Sequence, residues 1–402
     1  MSFVPNIYSE IGTLKKVMLH RPGRELLNLT PSSMHRLLFD DIPDMQKAQS
    51  EHDAFADVLR AQGIEVVYLT DCLEKVLQSE DIRHDFLQEF LPEAGIYRER
   101  ITPFMDYYLN LSPSEMVTKI LEGVRLEDVP KLQGSTLSTI MRRESDLLID
   151  PLPNLYFQRD SMTAIGNALS INVMSTETRR RETLLYKYIL QYHPDFTAVS
   201  TVYNRDFNYR IEGGDILILS PYIVAIGISQ RTQSEAIELM AQNLLSGDNS
   251  FEHVLAFQIP EKRAFMHLDT VFTMIDRDVF TIHPEVEEPL TVYDLTMSDG
   301  QIKVHELKDK LEQILCSYLD QSQVTLVPCG GGKGIDAERE QWNDGSNTLA
   351  IAPREVVVYE RNRVTNQHLE EAGVKLHYLD SGELSRGRGG PRCMSMPLVR
   401  ED

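Results

Sequence analysis

Cys393 stands in the run Ser385-Arg-Gly-Arg388-Gly-Gly-Pro-Arg-Cys393. A thiol reacts as its thiolate, and nearby guanidinium groups favour that form. Arg386, Arg388 and Arg392 therefore make Cys393 a candidate nucleophile. The glycines around them would let backbone approach a ligand closely and let the loop move as a gate. The plainer role for one cysteine is a small buried apolar side chain. A glycine- and arginine-rich loop is an odd place for that role.

Four further groupings carry acids, bases or amides. They are Asn154-Leu-Tyr-Phe157-Gln-Arg-Asp160, Glu212-Gly-Gly-Asp215, His267-Leu-Asp269-Thr270, and Cys329-Gly-Gly-Gly followed by Gln341-Trp-Asn-Asp-Gly-Ser. His267 and Asp269 are two apart, so on an extended chain both would face one side. One could be an acid or base and the other its charge partner; a solvated pair at a strand end is the simpler alternative. A metal pair is a third option, although no further ligand stands at zinc spacing in the sequence nearby. A lone Glu-Gly-Gly-Asp is often only a turn, and Arg159-Asp160 only a surface ion pair.

Two look-alikes can be set aside. Gly330-Gly-Gly-Lys333-Gly lacks the spacing and the following Ser or Thr of a phosphate-binding loop. Arg386-Gly-Arg-Gly-Gly is a single copy of an RGG-like phrase in an acidic chain.

The 402 residues carry 40 basic and 61 acidic side chains, a net charge of −21. That balance disfavours nucleic acid or an anionic membrane as partner and favours a cationic ligand. Hydrophobic residues make up 42% and charged residues 25%, as in an ordinary globular protein. Four cysteines without CxxC or zinc spacing suggest a reducing compartment. Neither a signal peptide nor a membrane span is expected, which points to the cytoplasm.

The elements that must position these residues follow from periodicity. Met45, Ala48, His52, Phe55 and Leu59 fall on one helical face, and a β-rich Ile64–Leu69 follows Gly63. The phrase Leu59–Leu69 aligns without gaps on Leu369–Leu379, sharing Leu, Gly, Tyr and Leu. Strand pairs are expected at about 13–20, 161–174, 215–228, 270–283 and 347–360, with helices such as 180–192 and 233–245 between them. Five recurring αβ units suit a closed pseudo-symmetric ring, with the polar groupings at the mouths of successive units. Residues 73–149 break the pattern and read as an entirely helical insertion, with Ser112-Pro113-Ser114-Glu115 as a capping box. The chain 1–402 is thus expected to be one domain carrying that insertion.

Together these residues resemble the arginine deiminase family of the guanidine-modifying superfamily. The resemblance spans essentially the whole chain, from Ile11-Gly-Thr-Leu-Lys-Lys-Val-Met-Leu-His-Arg-Pro-Gly through Leu37-Leu-Phe-Asp-Asp41 to Ser385–Arg400. FxRD, EGGD, HLDT, EQWNDGSN and SRGRGGPRCMSMP in that order are specific in combination, though not singly. Gln158, Ser161 and Lys333 depart from the commonest pattern without replacing a catalytic role.

The resemblance implies a five-bladed α/β propeller with a helical insertion. It makes Cys393 the nucleophile, His267 the general acid/base and Glu212 an aid at the guanidinium. Asp160 and Asp269 would clamp the guanidinium, and Arg179 and Arg231 would take the α-carboxylate. Asn154 and Phe157 would line the pocket, with Arg388 on the gate. The implied reaction converts free L-arginine and water to L-citrulline and ammonia through a thiouronium-type intermediate on Cys393. No metal or organic cofactor is implied, and the chain would be a homo-oligomer. An amidinotransferase, a methylarginine hydrolase, a non-catalytic arginine-binding protein and metal-assisted hydrolysis at His267 and Asp269 stand as alternatives.

Overall fold

The computed structural model describes residues 3–132, 137–247, 249–260, 262–287, 290–332 and 334–401. The fold is mixed α/β, and one strand plan recurs in five of its sheets. In each, two antiparallel strands are followed by a third strand parallel to the second. Met162–Ile165 and Ala168–Ile171 pair with Thr201–Tyr203 in this way. Phe272–Asp276, Val279–Ile282 and Thr325–Pro328 do the same, as do Leu349–Ala352, Glu355–Tyr359 and Lys375–Leu379. Ile216–Ser220, Ile223–Ile228 and His253–Gln258 follow the plan and gain an extra hairpin, Thr291–Ser298 with Gln301–Leu307.

The remaining sheet departs from expectation. Thr13–Leu19 does not belong to a local hairpin; its antiparallel partner is Met396–Glu401, and Glu65–Tyr68 runs parallel to it. The two ends of the chain therefore complete one unit together. A parallel connection needs a crossover, and helices supply it: Met45–Ala61, Glu177–Tyr192, Ser234–Leu245, Leu311–Tyr318 and Arg363–Glu371.

The matching phrases at 59–69 and 369–379 are equivalent places in two units. Leu59 and Leu369 are buried at the ends of their helices, and Gly63 and Gly373 turn the chain at φ 75° and 78°. A side chain rarely adopts that left-handed conformation. Asp44 caps the first of these helices through Lys47 N, and Ala48, His52, Phe55 and Leu59 form its buried face.

The segment 73–149 is not entirely helical. Its helices include Glu80–Glu93, Ile101–Leu109 and Pro113–Glu122, the last opened by the expected Ser112/Glu115 capping box. A short ribbon, Val124–Arg125 with Leu147–Ile149, then returns the chain toward the second unit. Two-residue strands are too short to leave an alternating pattern that periodicity could find. Phe86, Phe90, Phe104 and Tyr108 belong to the same apolar core as Leu169, Leu185 and Ile189. Among the described residues, no helix is long and apolar enough to cross a membrane.

Candidate active site

The five chemical groupings occupy one position in the repeated plan: each precedes the first strand of its unit. Asp160 lies in the short helix Gln158–Ser161 before Met162. Glu212 is extended at φ −124°, immediately before the turn Gly213–Asp215. His267 precedes the turn Leu268–Thr270, which carries Asp269. Asp344 and Asn347 come before Leu349, and Cys393 before Met396.

Contacts between the groupings bring them into one buried cluster. His267 Nε2 meets Glu212 Oε2 at 2.8 Å, and its Nδ1 lies 3.8 Å from Asp160 Oδ1. Cys393 Sγ lies 3.7 Å from Asp269 Oδ2. The Cys393 backbone N–H donates to Asn347 Oδ1 at 3.1 Å, and its carbonyl accepts from Arg159 N at 3.0 Å. Asp160, Glu212, His267, Asp269 and Cys393 are each 4% exposed or less, so all five act in a low-dielectric interior.

The glycines of Glu212-Gly-Gly-Asp215 are there for space. A Cβ on Gly213 would come within 2.0 Å of the Arg159 carbonyl oxygen, and one on Gly214 within 2.6 Å of His267 Nδ1. Asp215 supports the histidine turn from behind, accepting from Leu268 N at 2.8 Å and from the Ser229 hydroxyl at 2.7 Å.

Two carboxylates are half satisfied. Asp160 Oδ2 accepts from Arg179 Nη1 at 2.6 Å and Asp269 Oδ2 from Arg392 Nη1 at 2.8 Å. Among the described residues the other oxygen of each, Asp160 Oδ1 and Asp269 Oδ1, is buried without a hydrogen-bond partner, as is Asp344 Oδ2. An unmet buried acceptor is costly, so several of them beside a thiol are a demand for donors.

The electrostatics separate His267 from Cys393. Burial alone would lower the pKa of His267, but Asp160, Glu212 and Asp215 outweigh it and hold the imidazole up to about 9. Burial likewise opposes ionisation of Glu212, yet Arg231 and the His267 hydrogen bond keep its carboxyl far below the usual range. Cys393 goes the other way. Burial pushes the thiol well above its ordinary value, and Asp269, Asp160 and Asp344 add to that. Asp344 is itself raised to about 7 by burial, with Arg388 and Arg361 opposing.

The three arginines of the loop therefore do not favour the thiolate, contrary to the sequence expectation, because carboxylates already engage each of them. Arg386 pairs with Asp41 and Glu383, and Arg392 with Glu10 and Asp269. Arg388 lies 3.6 Å from Asp40 and 3.5 Å above the Trp342 ring. His267 and Asp269 also depart from expectation: a 3-10 turn separates them, not an extended chain, and each reaches a different partner.

The pocket residues are placed more variously. Arg179 is buried, with Glu182 receiving its Nε and Nη2 at 2.9 Å each while Asp160 takes Nη1. Arg231 lies 3.5 Å from Glu212 and 3.2 Å from Ser175 Oγ. Asn154 donates to the Leu37 carbonyl at 2.7 Å and so ties down the turn that carries Asp40 and Asp41. Phe157 packs against the Ser385–Cys393 loop; a Cβ on Gly389 would come within 2.3 Å of its ring, and one on Gly387 within 2.0 Å of the Tyr156 hydroxyl. Arg388 adopts φ 64°, a left-handed conformation uncommon for a side-chain-bearing residue.

Sequence reasoning missed Glu10, Asn347, Glu182 and the structural part of Arg392. Asn347 was within reach, since it lies in the quoted Glu-Gln-Trp-Asn-Asp-Gly-Ser-Asn run. Glu10 has no motif around it. Lys333 lies outside the described residues.

A family model described as arginine deiminase matches residues 35–400. This chain belongs to the arginine deiminase family. It is 52% identical over 402 residues to an arginine deiminase of Borrelia duttonii, covering 99% of this chain and 98% of that one. An arginine deiminase of Treponema denticola is 50% identical, with 99% of each chain covered. Among solved structures, an amidinotransferase from Microseira wollei has a TM-score of 0.55 at 14% identity, covering 99% of this chain and 98% of the other. The Pseudomonas aeruginosa dimethylarginine dimethylaminohydrolase complexed with citrulline has a TM-score of 0.53 at 15% identity, covering 96% and 99%. These two likenesses speak to the fold alone.

Proposed function

We propose that this protein hydrolyses L-arginine to L-citrulline and ammonia, with Cys393 as nucleophile and His267 as general acid and base. The observation that carries the reading is the pair of unpartnered buried oxygens, Asp160 Oδ1 and Asp269 Oδ1, beside His267 and Cys393. A guanidinium is a planar fork of N–H donors that cannot be deprotonated at neutral pH, so it answers two carboxylates at once. Held there, its central carbon faces the sulfur.

Burial and the carboxylates around it keep the thiol protonated, and the imidazole is charged. The guanidinium cation lowers the thiol's pKa, and the thiol proton passes to solvent. The thiolate then forms a C–S bond. His267 delivers its proton to one NH2 group, the C–N bond breaks, and ammonia leaves a cationic thiouronium on Cys393. Neutral His267 takes a proton from water as the oxygen attacks. Collapse breaks the C–S bond, returns the thiolate, and releases citrulline and a proton that the ammonia carries away. Glu212, hydrogen-bonded to His267, holds the charged imidazole ready for the first transfer.

Arg231 and Arg179 are the candidates for the α-carboxylate, Asn154 and Phe157 shape the pocket, and Arg388 rides on the covering loop. We extend the reading to a single domain over 1–402, a five-bladed α/β propeller with the insertion 73–149. The five like strand plans and the common placement of the site residues support that closure. The reading also takes the protein as a cytoplasmic homo-oligomer without cofactor, nucleic-acid or membrane partner, in keeping with its net charge of −21.

Asp160, Glu212 and His267 have ligand atoms within 4.8 Å of one another, which would suit a metal ion. The direct His267–Glu212 hydrogen bond and the imidazolium held to about 9 suit proton transfer better. Purified protein given L-arginine should release citrulline, unaffected by chelator, and should turn over methylated arginines or transfer an amidino group poorly. Preference for either of those would replace arginine hydrolysis as the activity.

A further inference from the structure

Asp269 is held from behind by Arg392 and, through it, by Glu10, around which no motif stands. Arg392, 1% exposed, donates Nη1 to Asp269 Oδ2 at 2.8 Å. Its Nε and Nη2 each meet an oxygen of Glu10 at 3.1 Å, and Nη2 also donates to the Ile216 carbonyl at 2.7 Å. Glu10 is fixed in turn, its Oε1 accepting from Ile218 N at 3.1 Å. Burial would raise the carboxyl of Glu10, but Arg392, Arg159 and Arg400 hold it down at about 2, so it stays charged.

A free arginine fork takes a carboxylate by both oxygens. Here Glu10 fills the Nε/Nη2 edge, the Ile216 carbonyl takes the other N–H of Nη2, and Asp269 meets only Nη1. Its second oxygen is left unpartnered. We infer that Glu10 is a positioning residue for the guanidinium: by anchoring Arg392 at its Nε/Nη2 edge it keeps Nη2 on the Ile216 carbonyl, limits Asp269 to a one-oxygen contact and keeps Asp269 Oδ1 free for substrate. The inference rests on the arginine-hydrolysing reading above. In it, the segment before Thr13 sets the aim of a carboxylate more than 250 residues away.

The two residues can be told apart by opposite effects on binding. Neutral Gln at position 10 loosens the anchor, so that Nη2 can leave the Ile216 carbonyl and Asp269 closes onto the Nη1/Nη2 edge with both oxygens. Lys at position 392 has no fork to close. Arginine binding is measured by calorimetry in the Cys393→Ala background, with melting temperature as the check on folding. Glu10→Gln should weaken binding by about tenfold or more, and Arg392→Lys by less than about threefold, because only the first buries the free oxygen.

Binding within twofold of the parent in Glu10→Gln would overturn the inference, as would a loss in Arg392→Lys as large as that in Glu10→Gln. Glue between the chain ends alone would lower the melting temperature of both variants without splitting their affinities. If one variant does not fold, the other still carries its own threshold. Absence of citrulline release by the unsubstituted enzyme would instead sink the functional reading.

Discussion

Two cysteines of this chain, Cys329 and Cys393, look alike on paper. Each has a proline and several glycines within a few residues, and each is buried. Burial raises both thiols, Cys329 to about 11 and Cys393 well above its ordinary value. What faces them differs. Thr365 Oγ1 lies 3.6 Å from Cys329 Sγ and donates at 2.6 Å to Glu340, whose carboxylate also takes the N–H groups of Val364 and Thr365. Both oxygens of the Glu340 carboxylate are thus met. Around Cys393, Asp160 Oδ1, Asp269 Oδ1 and Asp344 Oδ2 are buried without a hydrogen-bond partner among the described residues, and a charged imidazole stands nearby. The two thiols differ in the carboxylates that face them more than in their own depth or the glycines beside them.

The sharpest way to break that contrast is substitution at both positions. Cys393→Ala should lower kcat by about ten-thousandfold or more, since removing a nucleophile removes the covalent route. Cys329→Ala should leave kcat/KM within about twofold and cost about 1 kcal/mol of stability, the usual scale for losing a few buried contacts. Citrulline release and denaturant unfolding check both. Equal loss of activity in the two variants would make the comparison worthless.

A second test addresses the imidazole. His267 titrates higher in the folded chain than when free, so its charged form stabilises the fold below the ordinary histidine range. That contribution is lost as pH rises through about 9, where kcat/KM should also fall as the acid loses its proton. Glu212→Gln removes the hydrogen-bonded carboxylate, so the alkaline limb should move down by about one pH unit, with kcat also reduced. A limb unmoved in a pH–rate profile would show that Asp160 and Asp215 suffice to hold the proton.

How much of this was legible in the sequence depends on how local each feature is. The helix at 45–61, the turn at Gly63 and the Ser112/Glu115 cap are set by neighbours a few residues apart, and periodicity found them. The five residues that the structure brings into one buried cluster stand out in the sequence because motifs surround them. The partner of Thr13–Leu19 was missed because it lies at the far end of the chain, and strand register carries no local signal at that range. Glu10 was missed for the same reason, its partner Arg392 being 382 positions away. The influence of the loop arginines was misjudged because a guanidinium's effect on a thiol depends on which carboxylates have already claimed it, and only three dimensions show that.

The smallest expected effect concerns how the two cysteine loops are joined. Gly330, beside Cys329, packs so closely on Ile335–Trp342 that a Cβ there would come within 2.4 Å of Ala337. Trp342 ends that helix, 48% exposed, and Arg388 of the Cys393 loop rests 3.5 Å above its ring. The Cys329 turn is thus part of the footing for the loop that covers Cys393. An exposed cation–π contact contributes about 0.5–1 kcal/mol, so Trp342→Ala should change kcat/KM for arginine by no more than about fivefold. Trp342→Phe, which keeps a ring face under Arg388, should fall between that variant and the parent. Trp342 is the one tryptophan of the chain, so its emission in the Cys393→Ala protein reports directly on this contact. Arginine that displaces Arg388 from the ring should shift that emission; an unchanged spectrum at saturating arginine would mean that the loop keeps its perch through binding, and that Cys329's region supports the covering loop without taking part in its movement.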